Sequence, residues 1–192
     1  DYVIASDTDS LYITFSGLVQ SVFKGRDDVS KEKIVEFLDR VAHDKFEPVI
    51  DDIYQRLAKR CSAFQQKMNM KREVIADRGI WTAKKRYILN VYDSEGVRYE
   101  KPKLKMMGVE TVKSSTPSSC RVALTESLNI IMNNSEERMQ EYIKEFKKKF
   151  KTLPFEDISF PRSVQNVQFY SKETKAIPIA VRGAITFNKA LK

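Results

Sequence analysis

Short β-prone runs separated by polar turns narrow the folds open to this chain more than any other feature. Residues Arg86 to Tyr92, rich in β-branched and aromatic side chains, and Val97 to Met107 read as two strands joined across Asp93-Ser94-Glu95-Gly96. So short a connection permits only antiparallel pairing, because a parallel crossover needs a dozen or more residues. Met70 to Ala76 predicts a further strand. At the amino-terminal end, Tyr2 to Ala5 and Leu11 to Phe15 flank Ser6-Asp7-Thr8-Asp9-Ser10 and predict a hairpin with two carboxylates at its tip.

Between these hairpins the period changes. From about Ser30 to Phe64, Ile34, Phe37, Leu38, Val41, Phe46, Val49, Ile50, Ile53, Tyr54 and Leu57 recur at helical spacing, and Pro48 is expected to kink or divide the helix. Ser114-Ser115-Thr116-Pro117 reads as a helix start with a hydroxyl cap, followed by an apolar pattern through Ile131. Glu136 to Phe150 is acidic at its beginning and lysine-rich at its end, which suits the helix macrodipole, so these two segments predict a helical hairpin. Beyond Pro154 the sequence is irregular, with short β-prone pieces at Pro178 to Val181 and Ala184 to Phe187. Composition turns from strand-rich to helix-rich near Lys113, with no internal repeat or low-complexity segment. The expected class is α+β, with an antiparallel sheet of hairpins packed with long helices and then a mostly helical portion.

Several chemistries fall away on residue counts. The single histidine, His43, leaves too few parts for an imidazole metal site or a Ser-His-Asp triad. Cys61 and Cys120 stand far apart without a Cys-x-x-Cys pattern, giving no zinc knuckle and no reason for a disulfide. No run is long and apolar enough to span a bilayer, and no signal peptide opens the chain, so the expectation is an intracellular protein with no membrane partner. Asp1 leads directly into a β-prone run without an initiator Met, and Leu191-Lys192 ends amid a helix-compatible pattern; the chain is expected to be cut from something longer. At 192 residues it has material for one core, or one core and a small satellite. A formal net charge of +8 favours a polyanionic partner such as nucleic acid, although a solvated basic surface has the same composition.

Three constellations carry chemical content. Asp7 and Asp9, one residue apart at a strand end, present the hard oxygen ligands that divalent cations take; Asp-x-Asp is also a common polar turn and occurs in manganese-dependent glycosyltransferases. Trp81-Thr82-Ala83-Lys84-Lys85-Arg86-Tyr87 sends three cations and an aromatic ring into a strand, as a phosphate-backbone surface does and as a lysine-protected edge strand also does. Lys101, Lys103 and Lys105 alternate on a strand and share one face toward a polyanion or toward solvent, with Arg98 and Lys113 extending the basic bias.

The order of Asp-Thr-Asp-Ser hairpin, long helix, Lys-Lys-Arg-Tyr-x-Leu-Asn-Val and Pro-Lys-Leu-Lys-x-Met-Gly resembles family B DNA polymerases, and among them the replicative polymerases of T-even-type bacteriophages. Gly108 to Pro117 is similar to the phage palm-to-thumb junction and Val181 to Asn188 to a thumb segment, so the resemblance covers nearly the whole chain, with little between Pro154 and Ile177. It departs from the family at Ala5-Ser6, where Tyr-Gly usually precedes the acidic motif, and at Lys71, where an aspartate usually stands.

That resemblance implies that residues 1–108 are the C-terminal part of a polymerase palm and residues 109–192 the N-terminal part of the thumb. It implies Asp9 as a metal-binding carboxylate with Asp7 as its partner, and Glu73 as a strand carboxylate facing the same site unless it pairs with Arg72 or Lys71 on the surface. Lys85 and Tyr87 match the Lys-x-Tyr motif at the primer end; Lys84, Arg86, Lys113 and Arg182 are the further expected DNA contacts. The implied reaction is magnesium-dependent nucleotidyl transfer, with manganese as a substitute. Its implied partners are primer-template DNA, an incoming deoxynucleotide (dNTP) and the remainder of the polymerase, comprising exonuclease, fingers and the motif A part of the palm. Motifs A and B are absent from this sequence, so the isolated chain is expected to be inactive. A phage-encoded enzyme would work in the cytoplasm of its host cell. The alternatives are a non-catalytic nucleic-acid-binding module on the same scaffold and a manganese glycosyltransferase, against which the basic hairpin argues.

Overall fold

The computed structural model describes residues 2–26, 28–172 and 176–191; Asp1 and Lys192, the chain-end residues named above, lie outside the described residues. The architecture is mixed α and β, with one three-stranded antiparallel sheet, a separate hairpin and helices. The chain gathers into two compact units, Asp1–Gly108 and Val109–Lys192.

In the first unit, strands β1 (Val3–Asp7) and β2 (Ser10–Ile13) form the predicted hairpin. Asp7 pairs with Ser10, leaving Thr8 and Asp9 as a two-residue turn. Strands β3 (Val74–Ala83), β4 (Arg86–Ser94) and β5 (Val97–Met107) follow in spatial order β3-β4-β5, all antiparallel. The expected strand over Met70 to Ala76 in fact begins at Val74 and continues to Ala83. Its far half is held by pairing with β4, including Trp81 opposite Tyr87, which a local reading of Arg78 and Gly79 does not reveal. Gly79 serves this pairing directly, since a Cβ there would lie 2.6 Å from the Trp81 ring and 2.8 Å from Leu89. Pro102 is tolerated within β5 because that strand is a sheet edge and owes no hydrogen bond on its outer side.

Alternation along β4 divides the core between two faces. Tyr87, Leu89 and Val91 are buried on one face, with Tyr12, Val74, Ala76, Trp81 and Tyr99 packed against them. On the other, Asn90 is fully buried and donates to Asp77 Oδ1 at 2.8 Å. Helix α1 (Ser16–Val22) follows the hairpin; helix α2 (Lys31–Val41), capped by Ser30, reaches the Asn90 face, where Lys31 pairs with Asp77 and its ammonium lies 5.0 Å from the Tyr92 ring. The helical stripe divides near Pro48 as expected, but through a π-helical turn at Ala42–Phe46 before helix α3 (Glu47–Arg60). Proline removes one donor and crowds the carbonyl four residues earlier, and the Glu47 N–H reaches back five residues to Ala42 O.

A buried ionic network fastens α2 to the far end of the sheet. The fully buried Asp93 pairs with Arg72, accepts from Gly96 N at 3.0 Å and lies 3.5 Å from Arg98 Nε. Arg72 also donates through Nε and Nη2 to Asp39 Oδ1 on α2, at 3.0 and 2.6 Å.

The second unit is helical. Helix α4 (Ser118–Asn133) buries Ala123, Ile130 and Met132, and packs with α5 (Glu136–Phe150), where Tyr142 donates to Ala123 O at 3.4 Å. The hydroxyl cap expected for α4 is not formed: Pro117 occupies the cap position, and Thr116 Oγ1 donates to Glu110 O at 2.8 Å instead. Ser135 does cap α5, accepting from Arg138 N at 3.5 Å. Two single-turn helices, α6 (Phe155–Ile158) and α7 (Val167–Tyr170), precede α8 (Ile179–Ala190). The β-prone pieces after Pro178 therefore lie in a helix. Val181 is its buried residue, and Pro178 sits just before the first turn, where its missing N–H costs nothing. Among the described residues no helix is long and apolar enough to cross a membrane.

Candidate functional site

The tip of the first hairpin is built under backbone constraint. Thr8 has φ of 56°, a left-handed conformation that a β-branched residue rarely adopts, and its hydroxyl donates to Asp7 Oδ1 at 3.1 Å. Asp9, the second turn residue, is exposed, whereas the Asp7 side chain is 22% exposed. The turn thus projects one carboxylate outward and holds the other against the protein.

A second two-residue turn, Lys84-Lys85, joins β3 to β4. Lys85 has φ of 60°, and Thr82 Oγ1 donates to Arg86 O at 3.3 Å across the turn. Gly108, just beyond β5, makes room for this conformation: at φ of 64° it would place a Cβ only 2.2 Å from the Lys85 carbonyl oxygen. The turn carries Lys84 and Lys85 at the surface with Arg86 half-buried.

The two turns meet. Lys85 Nζ lies 3.4 Å from Asp7 Oδ1. Behind this pair Tyr12 of β2 packs its ring 5.5 Å from Trp81 and 5.4 Å from Tyr87. Burial, a hydrogen bond to Tyr87 and the negative charges of Glu73 and Asp7 push the Tyr12 phenol far above its ordinary value of 10.0. Tyr12 and Trp81 thus join the two hairpins, a role that β-propensity alone does not signal; the only hint in the sequence is that both are aromatic residues flanking polar turns.

The other expected residues are distributed as follows. Tyr87 is 6% exposed and belongs to the core, so its ring is not displayed beside the lysines. Glu73 pairs with Lys105, not with Arg72 or Lys71, while Arg72 is committed to Asp39 and Asp93. The anticipated lysine stripe is accordingly uneven: Lys101 and Lys103 are exposed, Lys103 lies 4.1 Å from the Tyr99 ring centroid, and Lys105 is neutralised by Glu73. In the helical unit, exposed Lys113 pairs with Glu110 at 3.1 Å, and exposed Arg182 lies on α8 with Nη2 donating to Ile177 O at 3.4 Å. His43 is bonded to Glu47 at 3.2 Å, and Cys61 and Cys120 are free thiols.

Among the described residues no group of three or more His, Cys, Asp or Glu side chains converges to hold a metal ion. Asp7, at the end of β1, and Asp9, in the turn that follows, are hard oxygen donors separated by Thr8, chemically suited to a divalent cation but only part of a coordination shell.

Comparison with known proteins sharpens this geometry. No family model matches the chain. All of it aligns with the DNA-directed DNA polymerase of Enterobacteria phage T4, 35% identical over 206 residues, and with that of Escherichia phage RB69, 39% identical over 204 residues. The chain spans 22% of the length of each of these relatives. Identity at this level along the entire chain leads to one conclusion: throughout its length the chain is similar to a segment of these phage DNA-directed DNA polymerases.

Proposed function

We propose that this segment supplies one edge of the palm active site, from residues 1–108, and the start of the thumb, from residues 109–192. The assembled enzyme would catalyse attack of a primer 3′ hydroxyl on the α-phosphate of an incoming deoxynucleotide. The observation that carries the reading is the meeting of the Asp7-Thr8-Asp9 turn with the Lys84-Lys85 turn, 3.4 Å apart at Asp7 and Lys85. An acidic tip beside a basic turn on one rim is what a site needs to hold cations and a nucleic-acid end together.

In this reading Asp9 and Asp7 are the carboxylates that hold magnesium, or manganese in its place, with further ligands from the remainder of the polymerase. When bound, the ions would neutralise phosphate charge and favour the attacking hydroxyl. Lys84 and Lys85 meet the primer terminus through charge, and minor-groove acceptors, which vary little between base pairs, suit a contact without sequence preference. Tyr87, from within the core, fixes the strand that carries them. Arg86 at the turn, and Lys113 and Arg182 in the helical unit, serve phosphates. Glu73 sits close enough to Tyr12 to raise its pKa and balances Lys105. Primer-template DNA, dNTP and the exonuclease, fingers and motif A portions of the enzyme are the partners, in the cytoplasm of the phage's host.

The test is Asp9→Ala in the complete polymerase. Incorporation is expected to fall about a hundred- to a thousandfold, the usual cost of removing one group that stabilises developing charge, with primer-template affinity little changed. Retained incorporation would instead assign the segment to a DNA-binding scaffold without a catalytic carboxylate.

A further inference from the structure

Resting on the reading above, we propose that Lys85 is shared between Asp7 and the primer strand, so that DNA and a divalent cation promote each other's binding by releasing one ion pair. Three features of the rim support this. The Lys85 side chain is 61% exposed, so its ammonium can leave Asp7 for another anion without unpacking anything. Its backbone, by contrast, is held by the left-handed turn and by the close approach of Gly108 to its carbonyl, so the head group swings from a stationary base. Asp7 is the more enclosed partner at 22% exposure, and its Oδ1 also accepts the Thr8 hydroxyl, so the carboxylate stays in place when the lysine departs.

The logic follows from charge. Without DNA, Lys85 neutralises Asp7 and competes with any cation for the same oxygen. Phosphate or a minor-groove acceptor offers the lysine a different partner, and Asp7 is then open to the cation. Linkage makes this reciprocal: a cation on Asp7 repels the ammonium and releases it toward DNA by the same factor. Because the pair is exposed, its strength is small, and the coupling is about two- to fivefold in affinity, not orders of magnitude. Such a device biases the carboxylates toward cation binding when a primer end is present.

The experiment uses the complete polymerase, with Mn2+ as the probe, its free concentration followed by paramagnetic resonance, and a primer-template ending in a dideoxynucleotide. For the unaltered protein, DNA should tighten Mn2+ binding about threefold, after subtraction of Mn2+ taken up by DNA alone. Lys85→Ala should bind Mn2+ about threefold more tightly without DNA and show no further gain when DNA is added. Lys85→Gly, which accommodates the positive φ more readily, guards against a folding defect and should behave alike. Lys84→Ala removes the same charge one residue away and should leave the coupling intact. Asp7→Asn should abolish the difference between Lys85 and Lys85→Ala. An unchanged Mn2+ affinity in both Lys85 variants, or an equal effect of Lys84→Ala, would overturn the proposal. If that occurs while Asp9→Ala still lowers incorporation as expected above, only the sharing of Lys85 fails; if Asp9→Ala incorporates normally, the polymerase-site reading itself fails.

Discussion

The two ends of strand β4 are both closed by two-residue turns containing positive φ, yet they are built on opposite plans. At the Glu95-Gly96 end, φ is 51° and 87°, glycine occupies one of the two positions, and Glu95 N donates to Glu73 O at 2.7 Å. Beneath that turn lies Asp93, wholly buried and surrounded by Arg72, Arg98 and the Gly96 N–H. At the Lys84-Lys85 end, a lysine takes the left-handed conformation, both ammonium-bearing side chains are at the surface, and Asp7, the acidic partner of Lys85, comes from another hairpin. The first end spends its charges internally to lock helix α2 to the sheet; the second leaves its charges where an external ligand can take them. Within a single strand, the pattern separates a charge arrangement that serves stability from one suited to binding.

Four substitutions test that separation, from the largest effect to the smallest. Arg72→Ala leaves the buried Asp93 with Arg98 Nε, 3.5 Å away, as its remaining cationic partner, and urea unfolding should show a loss of about 3 kcal/mol, the cost of breaking a buried pair from one side. A loss under about 1 kcal/mol would mean that the two ends of β4 are not distinct. Gly108→Ala attacks the exposed end through its backbone: strain at positive φ and the clash with Lys85 O should cost about 1–3 kcal/mol and, by shifting the turn, weaken primer-template binding by the complete enzyme. Stability lost with DNA affinity intact would detach Gly108 from the binding rim.

Thr8→Gly should do the reverse, gaining about 0.5 kcal/mol by relieving a left-handed β-branched residue, offset in part by glycine's unfolded-state entropy. Lower stability in urea would show that the threonine hydroxyl on Asp7 outweighs the strain. Tyr12→Phe should matter least at neutral pH and be read at alkaline pH. The folded-state pKa of Tyr12 is raised above its unfolded value, so its contribution is fully present below pH 10 and is lost as pH rises through the higher folded value. The unaltered chain should therefore lose stability more steeply above pH 10 than the phenylalanine variant; parallel curves would place the Tyr12 hydroxyl in solvent.

Much of the framework was legible from residue patterns. The β4–β5 hairpin, α5 and the carboxylate-tipped hairpin each follow from alternation, turn residues or charge placement that act over a few neighbours. The misreadings fall where distant contacts outvote local preference. Strand β3 runs to Ala83 because β4 pairs with it there, and the β-prone stretch after Pro178 coils into α8. The fate of Glu73 was equally hidden, since its partner Lys105 is 32 positions away and nothing nearby in the chain distinguishes Lys105 from Lys71.

From its order of residues alone, this protein determined which turns carry acid and which carry base, because turn chemistry and charge are properties of consecutive side chains. Only the tertiary structure decided that the acidic turn and the Lys-Lys turn share one rim and that Tyr87 faces inward. It alone decided that Asp93 is locked away while Asp9 is exposed. Those outcomes depend on which side chains lose water together, and that is set by the packing of Tyr12, Trp81 and Tyr87 across hairpins some seventy residues apart.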